Sequence, residues 1–258
     1  MKTTEIVLLG AGNVATSLAP ALSRVGHVVQ VYSRTLRHAQ ELASTLPGAQ
    51  PVDNLTLLKA DAHVYVLAVS DDAIASLVSA VPDNGAVWLH TSGSTPITVF
   101  AGRRARYGVL YPMQSFSKAL PVDMAEVPLF VEGSDDATQQ LVLRLAQGIS
   151  HKVTVATSEQ RRGLHVAAVF ACNYANHMFT LASEVLEECG LSFDAMLPLI
   201  ETTVAKLHHL TPAQSQTGPA VRGDHRIMAA HLEMLHGDKQ DIYRQLAESI
   251  MRRTAHRD

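Results

Sequence analysis

Cysteine is nearly absent from this chain: of 258 residues only Cys172 and Cys189 carry a thiol, both in sequence of helical character. A disulfide framework is therefore excluded, both thiols are expected as core residues, and a reducing, cytoplasmic setting follows. An excess of either charge is also lacking. With a net charge of −3 and no basic run, nothing draws the chain to nucleic acid or to an anionic membrane surface. Long hydrophobic runs are missing as well. Ile6-Val7-Leu8-Leu9 is too short for a signal-peptide core. The uncharged stretch from Gly163 to Ser183 contains His165, Asn173, Asn176 and His177, which would be costly in hydrocarbon, so a buried helix is expected there. The thirteen histidines are scattered, without a His-Glu-x-x-His pattern or paired cysteines, so no metal site is expected. No Gly-x-Ser-x-Gly elbow occurs, which argues against a serine hydrolase. Repeats, low-complexity tracts and long linkers are absent too.

What is present is a globular composition, 47% hydrophobic and 17% charged, in a length that accommodates one domain or two. The first half alternates short apolar runs with helical patterns, the mark of a parallel sheet covered on both faces. Strands are expected at Ile6–Leu9, Val28–Ser33, Val64–Val69, Ala86–His90 and Tyr107–Tyr111. Helices are expected at Val14–Val25, Leu36–Thr45, Asp72–Val81 and Ile97–Arg104. After a looser stretch beyond Pro112 come a strand at Leu129–Glu132, a helix at Ala137–Gln147 and a strand at Lys152–Ala156. From about Ser158 the apolar spacing becomes helical, with Leu164, Ala168, Ala171, Ala175 and Met178 on neighbouring turns. Pro212, Gly218, Pro219 and Gly223 mark a loop at Thr211–Asp224. The expected fold is α/β: a doubly wound nucleotide-binding domain over 1–156 and an all-helical domain over 157–258, with a site in the cleft between them.

The chemistry concentrates first at Gly10-Ala11-Gly12-Asn13-Val14-Ala15, a G-x-G-x-x-A run between a strand and a helix. Gly10 permits the tight turn, Gly12 admits the backbone to a pyrophosphate, and Ala15 keeps the helix close to the strand. The unpaired N–H groups and positive end of that helix face the phosphates. Such a run alone is a weak signal, but a repeating βα context makes it a dinucleotide site, against the plainer role of shaping a turn. At the end of the second strand the residues are Tyr32-Ser33-Arg34-Thr35, with Arg37 beyond. No acid is placed to bind the ribose hydroxyls of NAD, whereas Ser33 and Arg34 suit the 2′-phosphate of NADP. The other role open to Arg34 and Arg37 is that of solvated cations at a helix start.

Ligands of open α/β sheets lie beyond the carboxyl ends of the strands. Val69 and Ser70 are accordingly candidate cofactor residues, although Ser70 and Asp71 need only cap the next helix. Ser92-Gly93 is a small pair on which a flat nicotinamide ring could lie. His90 is expected as a satisfied histidine within its strand. In the helical half, His165, Asn173 and Asn176 could form a polar stripe that orients a substrate and donates a proton; a buried network that fixes helix packing weighs equally.

With these residues assembled, the chain resembles a family of Rossmann-like proteins carrying a C-terminal domain of unknown function 2520. The likeness is carried by the dinucleotide motif, by Leu67-Ala68-Val69-Ser70-Asp71-Asp72, His90-Thr91-Ser92-Gly93-Ser94 and Tyr111-Pro112-Met113-Gln114-Ser115-Phe116. It continues through His165 to His177 and Thr217-Gly218-Pro219-Ala220-Val221-Arg222-Gly223-Asp224. The resemblance implies a helical C-terminal domain that often dimerises and an NADP-dependent oxidoreductase acting on a small molecule. More distantly the chain is similar to pyrroline-carboxylate reductases and β-hydroxyacid dehydrogenases. In the latter a catalytic Lys stands four residues before an Asn; aligning that Asn with Asn173 puts Val169 at the Lys position. That proton-transfer residue is missing, so the proton would fall to His165 or to a group from the Thr217–Asp224 loop, and His165, Asn173 and Arg222 are the candidate catalytic residues. Arg222 suits an anionic substrate, or simply pairs with Asp224. Two readings are open: an NADP-dependent reductase of a carbonyl or imine, working as a homodimer, and a non-catalytic NADP-binding sensor or scaffold.

Overall fold

Both faces of the first strand are apolar, and this decides the layering. In the computed structural model, which describes residues 4–120 and 122–254, β1 (Glu5–Leu9) buries Ile6 and Leu8 in one hydrophobic cluster and Val7 and Leu9 in another. Successive side chains of a strand point to opposite faces, so a strand apolar at every position needs cover on both sides. One side is covered by α1 (Asn13–Val25), α2 (Leu36–Ala43) and α4 (Asp136–Gln147), through residues such as Leu18, Leu22, Leu42 and Val142. The other is covered by α3 (Asp71–Ala80), through Ile74, Leu77 and Val78.

The remaining strands are β2 (His27–Tyr32), β3 (Gln50–Val52), β4 (Val64–Leu67), β5 (Val87–His90), β6 (Arg106–Pro112), β7 (Leu129–Gly133) and β8 (Val153–Val155). Their order is β3-β2-β1-β4-β5-β6-β7-β8, parallel throughout except between β6 and β7. The first six strands have the doubly wound Rossmann order, whose reversal point lies between β1 and β4. Every strand expected from the pattern is there. β3, which was not expected, is a three-residue edge strand containing Pro51; a proline is tolerated at a sheet edge and hides the strand signal. The helix expected over Ile97–Arg104 is only a 3₁₀ turn at Ile97–Phe100. Gly102 ends it at φ +72°, and Arg104 turns inward, donating to the carbonyls of Val78 and Val81 at 3.0 and 2.7 Å.

The chain forms two compact units, Met1–Asn173 and Tyr174–Asp258. The first unit includes α5 (Ser158–Ala168) and most of a π-helical stretch, Val169–Tyr174. That stretch interrupts the 3.6-residue period expected to run from Leu164 to Met178, and Ala171 is exposed rather than buried. Among the described residues the second unit is entirely helical: α6 (Ala175–Glu188), α7 (Leu197–Lys206), α8 (Pro212–Ser215), α9 (Pro219–Arg222), α10 (His225–Met234) and α11 (Asp238–Thr254). The expected loop at Thr211–Asp224 holds two single-turn helices, each with a proline in its first turn, where the missing N–H costs nothing. Lys239 ties α11 to α6 through Glu184 and Glu188, at 3.3 and 2.7 Å. Contrary to expectation, Cys172 and Cys189 are exposed. No helix of the described residues is long and apolar enough to cross a membrane.

Candidate functional site

The turn from β1 into α1 is shaped by two glycines with different reasons to be there. Gly10 adopts φ +120°, and a β-carbon on it would lie 2.1 Å from the Ala68 carbonyl oxygen. Its N–H donates to the Tyr32 carbonyl at 2.8 Å. The backbone itself therefore demands glycine, because the turn passes between β2 and the end of β4. Gly12 has an ordinary φ of −86°, and a β-carbon there would meet nothing within 4 Å. Nothing in the protein requires glycine at that point; the open space beside it is room for a ligand. Gly12 is the N-cap of α1, no side chain caps the helix, and its first turn carries no acid. The leading N–H groups and the positive helix end are thus presented to an anion.

A cavity of about 530 Å³ opens over this turn and is lined by Gly10, Ala11, Gly12, Asn13, Val14, Ser33, Arg34, Val69 and Ser70. Nine of the eleven residues expected to bind the cofactor thus meet at one place. Tyr32, His38, Ser76, Leu77 and Lys118 complete much of the wall, and among the described residues no carboxylate lines it. Arg34 is exposed and has no ion-pair partner among the described residues, whereas Arg37 pairs with Glu41 at 3.6 Å on the surface. Ser33 accepts a 3.4 Å bond from the Thr35 N–H. Ser70 occupies the N-cap position of α3 but makes no capping bond, which leaves its hydroxyl to the cavity. The residues present fit a phosphorylated dinucleotide: a glycine cradle, an uncapped helix end and cations with no competing acid.

Ser92 and Gly93 do not line that cavity. The Ser92 hydroxyl is engaged by the N–H groups of Ser94 and Thr95 at 3.1 and 2.8 Å. A β-carbon on Gly93 would lie 2.8 Å from both His165 Nδ1 and Tyr111 Cζ. Glycine here lets two side chains close over the backbone. Asp71, in the first turn of α3, accepts a hydrogen bond from the Ser94 hydroxyl. His90 is fully buried and stacked on Phe100, and its Nδ1 accepts the Ser92 N–H at 3.2 Å. Its Nε2 makes no well-formed hydrogen bond among the described residues, so the histidine is only half satisfied. Burial, reinforced by the Arg161 charge, pushes its pKa down to about 3, which keeps the ring neutral.

His165 is held in place by a buried ion pair one helical turn earlier. Arg161, 1% exposed, donates to Glu132 Oε2 at 2.6 Å and to the Thr95 carbonyl at 2.6 Å. Ser158 donates its hydroxyl to the same carboxylate at 2.7 Å and its N–H at 3.0 Å. These contacts fasten α5 to β7 and to the segment after β5. Residues four apart share a helix face, so His165 meets Tyr111 beside Gly93, with Nδ1 3.4 Å from the phenol oxygen and the rings edge-on. Burial raises the Tyr111 pKa, Asp71 adding to the effect and Arg161 opposing it, so the phenol stays neutral. Asn173 is exposed in the π-helical stretch of the same unit. Arg222 lies in the other unit, exposed at the end of α9. Asp224 caps α10 through the Ile227 N–H at 3.1 Å, and no Arg222–Asp224 ion pair occurs among the described residues. Among them, too, no three His, Cys, Asp or Glu residues cluster as a metal site would require.

Sequence reasoning missed Lys118, Tyr111 and the Glu132–Arg161 pair. Tyr111 stands at a strand end and could have been found there. Lys118 sits in an irregular stretch with no periodic signal.

Comparison with known proteins bears on the same residues. Residues 5–88 match the family model for NADP oxidoreductase, coenzyme F420-dependent, and residues 127–250 match a domain of unknown function, DUF2520. A crystal structure from Bacteroides fragilis, named "putative NADP oxidoreductase", is 42% identical, with 97% of this chain and 98% of that one covered at a TM-score of 0.89. A reductive aminase from Aspergillus terreus in complex with NADPH and ethyl-5-oxohexanoate shares the fold at 18% identity and a TM-score of 0.73, over 98% and 95% of the two chains. The glycerol-3-phosphate dehydrogenase [NAD(P)+] of Legionella pneumophila is 24% identical over 233 residues, 81% of this chain and 68% of that protein.

Proposed function

Because this chain belongs to the family of NADP oxidoreductases represented by the Bacteroides fragilis protein, we propose that it reduces a small carbonyl or imine compound with NADPH. The observation that carries this reading is the cavity over Gly10–Val14, with an uncapped helix end, open space at Gly12 and, among the described residues, neither an acidic partner for Arg34 nor a carboxylate in the wall. Gly10 through Val14 would hold the pyrophosphate, Ser33 and Arg34 the 2′-phosphate, and Val69 and Ser70 the neighbouring cofactor surface. Gly93 would support the reacting end indirectly, by seating Tyr111 and His165, and Ser92 by fixing the turn through the N–H groups of Ser94 and Thr95. Bound NADPH supplies a hydride; the chain must then supply a proton to the oxygen or nitrogen of the reduced group. His165, with the neutral phenol of Tyr111 at 3.4 Å, is the donor in this scheme. Asn173 and Arg222 orient the substrate, Arg222 through its charge.

The helical half would pair with a second copy, a role favoured by exposed apolar residues such as Leu199, Val204 and Leu207. Two exposed thiols favour a reducing, cytoplasmic environment. Titration with NADPH and NADH, followed by nicotinamide fluorescence, tests the reading. NADPH is expected to bind at least about tenfold tighter, about 1.4 kcal/mol, and Arg34→Ala to abolish the difference. Absence of binding by either dinucleotide refutes it.

A further inference from the structure

The cofactor cavity contains a cation that the dinucleotide motif does not explain. Lys118 lies in the irregular segment between β6 and β7, yet it lines the same cavity as Gly12 and Arg34. Three other lysines are neutralised, Lys59 by Asp61 at 2.8 Å, Lys152 by Glu126 at 2.8 Å and Lys239 by Glu188 at 2.7 Å, while Lys206, which has no carboxylate partner among the described residues either, lies on α7 and lines no part of this cavity. Lys118 has no carboxylate partner among the described residues, and none lines the cavity.

The charges of the ligand say which part of it needs this ammonium. An NADP molecule brings a pyrophosphate of two negative charges and a 2′-phosphate. Arg34 and His38, at and beyond the end of β2, stand where the 2′-phosphate is read. Between Gly10 and Val14 and between Ala68 and Ser70 the wall contains no charged side chain at all. The end of α1 offers only about half an elementary charge, which leaves most of the pyrophosphate uncompensated. A lysine on a flexible stem is suited to that task as a point charge.

We propose that Lys118 binds the dinucleotide pyrophosphate, so that the segment between β6 and β7 supplies affinity for NADPH and NADH alike while Arg34 supplies the choice between them. This inference rests on the cofactor reading above. It is tested on the full chain with Lys118→Ala and Lys118→Arg, each titrated with NADPH, NADH and, for reference, adenosine 2′-monophosphate, which lacks the pyrophosphate.

Lys118→Ala is expected to weaken both dinucleotides about tenfold, with their ratio unchanged, to leave adenosine 2′-monophosphate binding intact, and to flatten the salt dependence. Lys118→Arg should retain most of the affinity. Being exposed, residue 118 tolerates both changes without loss of fold, which circular dichroism checks. Equal binding by the alanine variant and the parent overturns the role of Lys118. A loss confined to NADPH and adenosine 2′-monophosphate overturns it as well, since the lysine would then read the 2′-phosphate. If the parent protein binds neither dinucleotide, the cofactor reading itself fails, and that result is distinct from either of these.

Discussion

His90 makes the stability of this protein depend on pH in a window where carboxylates contribute little. The ring is 0% exposed, stacked 5.7 Å from Phe100, and its Nδ1 accepts a hydrogen bond from Ser92. Protonation would place a charge in this buried site, where the Asp71 charge and the Pro96 backbone offset only part of the cost, and burial lowers the pKa from 6.5 to about 3. The unfolded chain therefore takes up a proton near pH 6.5 that the folded chain refuses until about pH 3. Between those values the unfolded state binds more protons, so stability falls as the pH falls. At about 1.4 kcal/mol per pH unit, the accumulated loss by about pH 4.5 is roughly 3 kcal/mol. Above pH 6.5 both states are neutral at this position and the effect vanishes. Urea unfolding of the parent and of His90→Asn, measured from pH 7.5 to 4.5, isolates the effect. Asparagine retains an acceptor for the Ser92 N–H and does not titrate. It loses ring packing and so lowers stability at every pH, but the slope between pH 6.5 and 4.5 should flatten relative to the parent. Parallel curves for the two proteins would refute the assignment of this slope to His90.

The two glycines of the dinucleotide turn should separate folding from binding. Gly10→Ala is expected to destabilise the fold by several kcal/mol, about 3 or more, because of its positive φ and the Ala68 carbonyl 2.1 Å from the new carbon. Gly12→Ala should unfold at nearly the parent temperature yet bind NADPH at least about tenfold more weakly, about 1.4 kcal/mol; calorimetry and fluorescence titration read the two effects. Arg161→Ala, which strands the Glu132 carboxylate, should cost about 3–5 kcal/mol in denaturant unfolding, and the pair Arg161→Met with Glu132→Leu should recover much of it. A double variant as unstable as the single one would show that the hydrogen bonds to Thr95 and Ser158, rather than the stranded charge, dominate.

Much of the nucleotide-binding unit was legible because its signals are local. A strand apolar at every position, a glycine turn and a helix follow one another within Glu5 to Val25, and each part specifies its own geometry. The absence of an acid after Tyr32 could likewise be read directly. The second half was harder. Its helical character was plain, but the extra residue in the hydrogen-bonded turns of Val169–Tyr174 shifts the face that any 3.6-residue pattern predicts. The exposure of Cys172 and Cys189 was equally unreadable, since a small apolar residue in a helix carries no mark of which way it faces. That Gly93 must be glycine because Tyr111 and His165 close over it depends on residues distant in the chain and could not be read locally.

The sequence by itself determined the class of fold, the place of the glycine turn between β1 and α1 and the lack of an acid after β2, since each depends on residues close together in the chain. Only the tertiary structure decided which distant residues complete the site. Lys118 reaches the cavity from a segment without periodicity, and the buried pair of Glu132 with Arg161, 29 residues apart, brings His165 to Tyr111. No local pattern encodes those meetings; they arise where the ends of neighbouring strands converge on the same edge of the sheet.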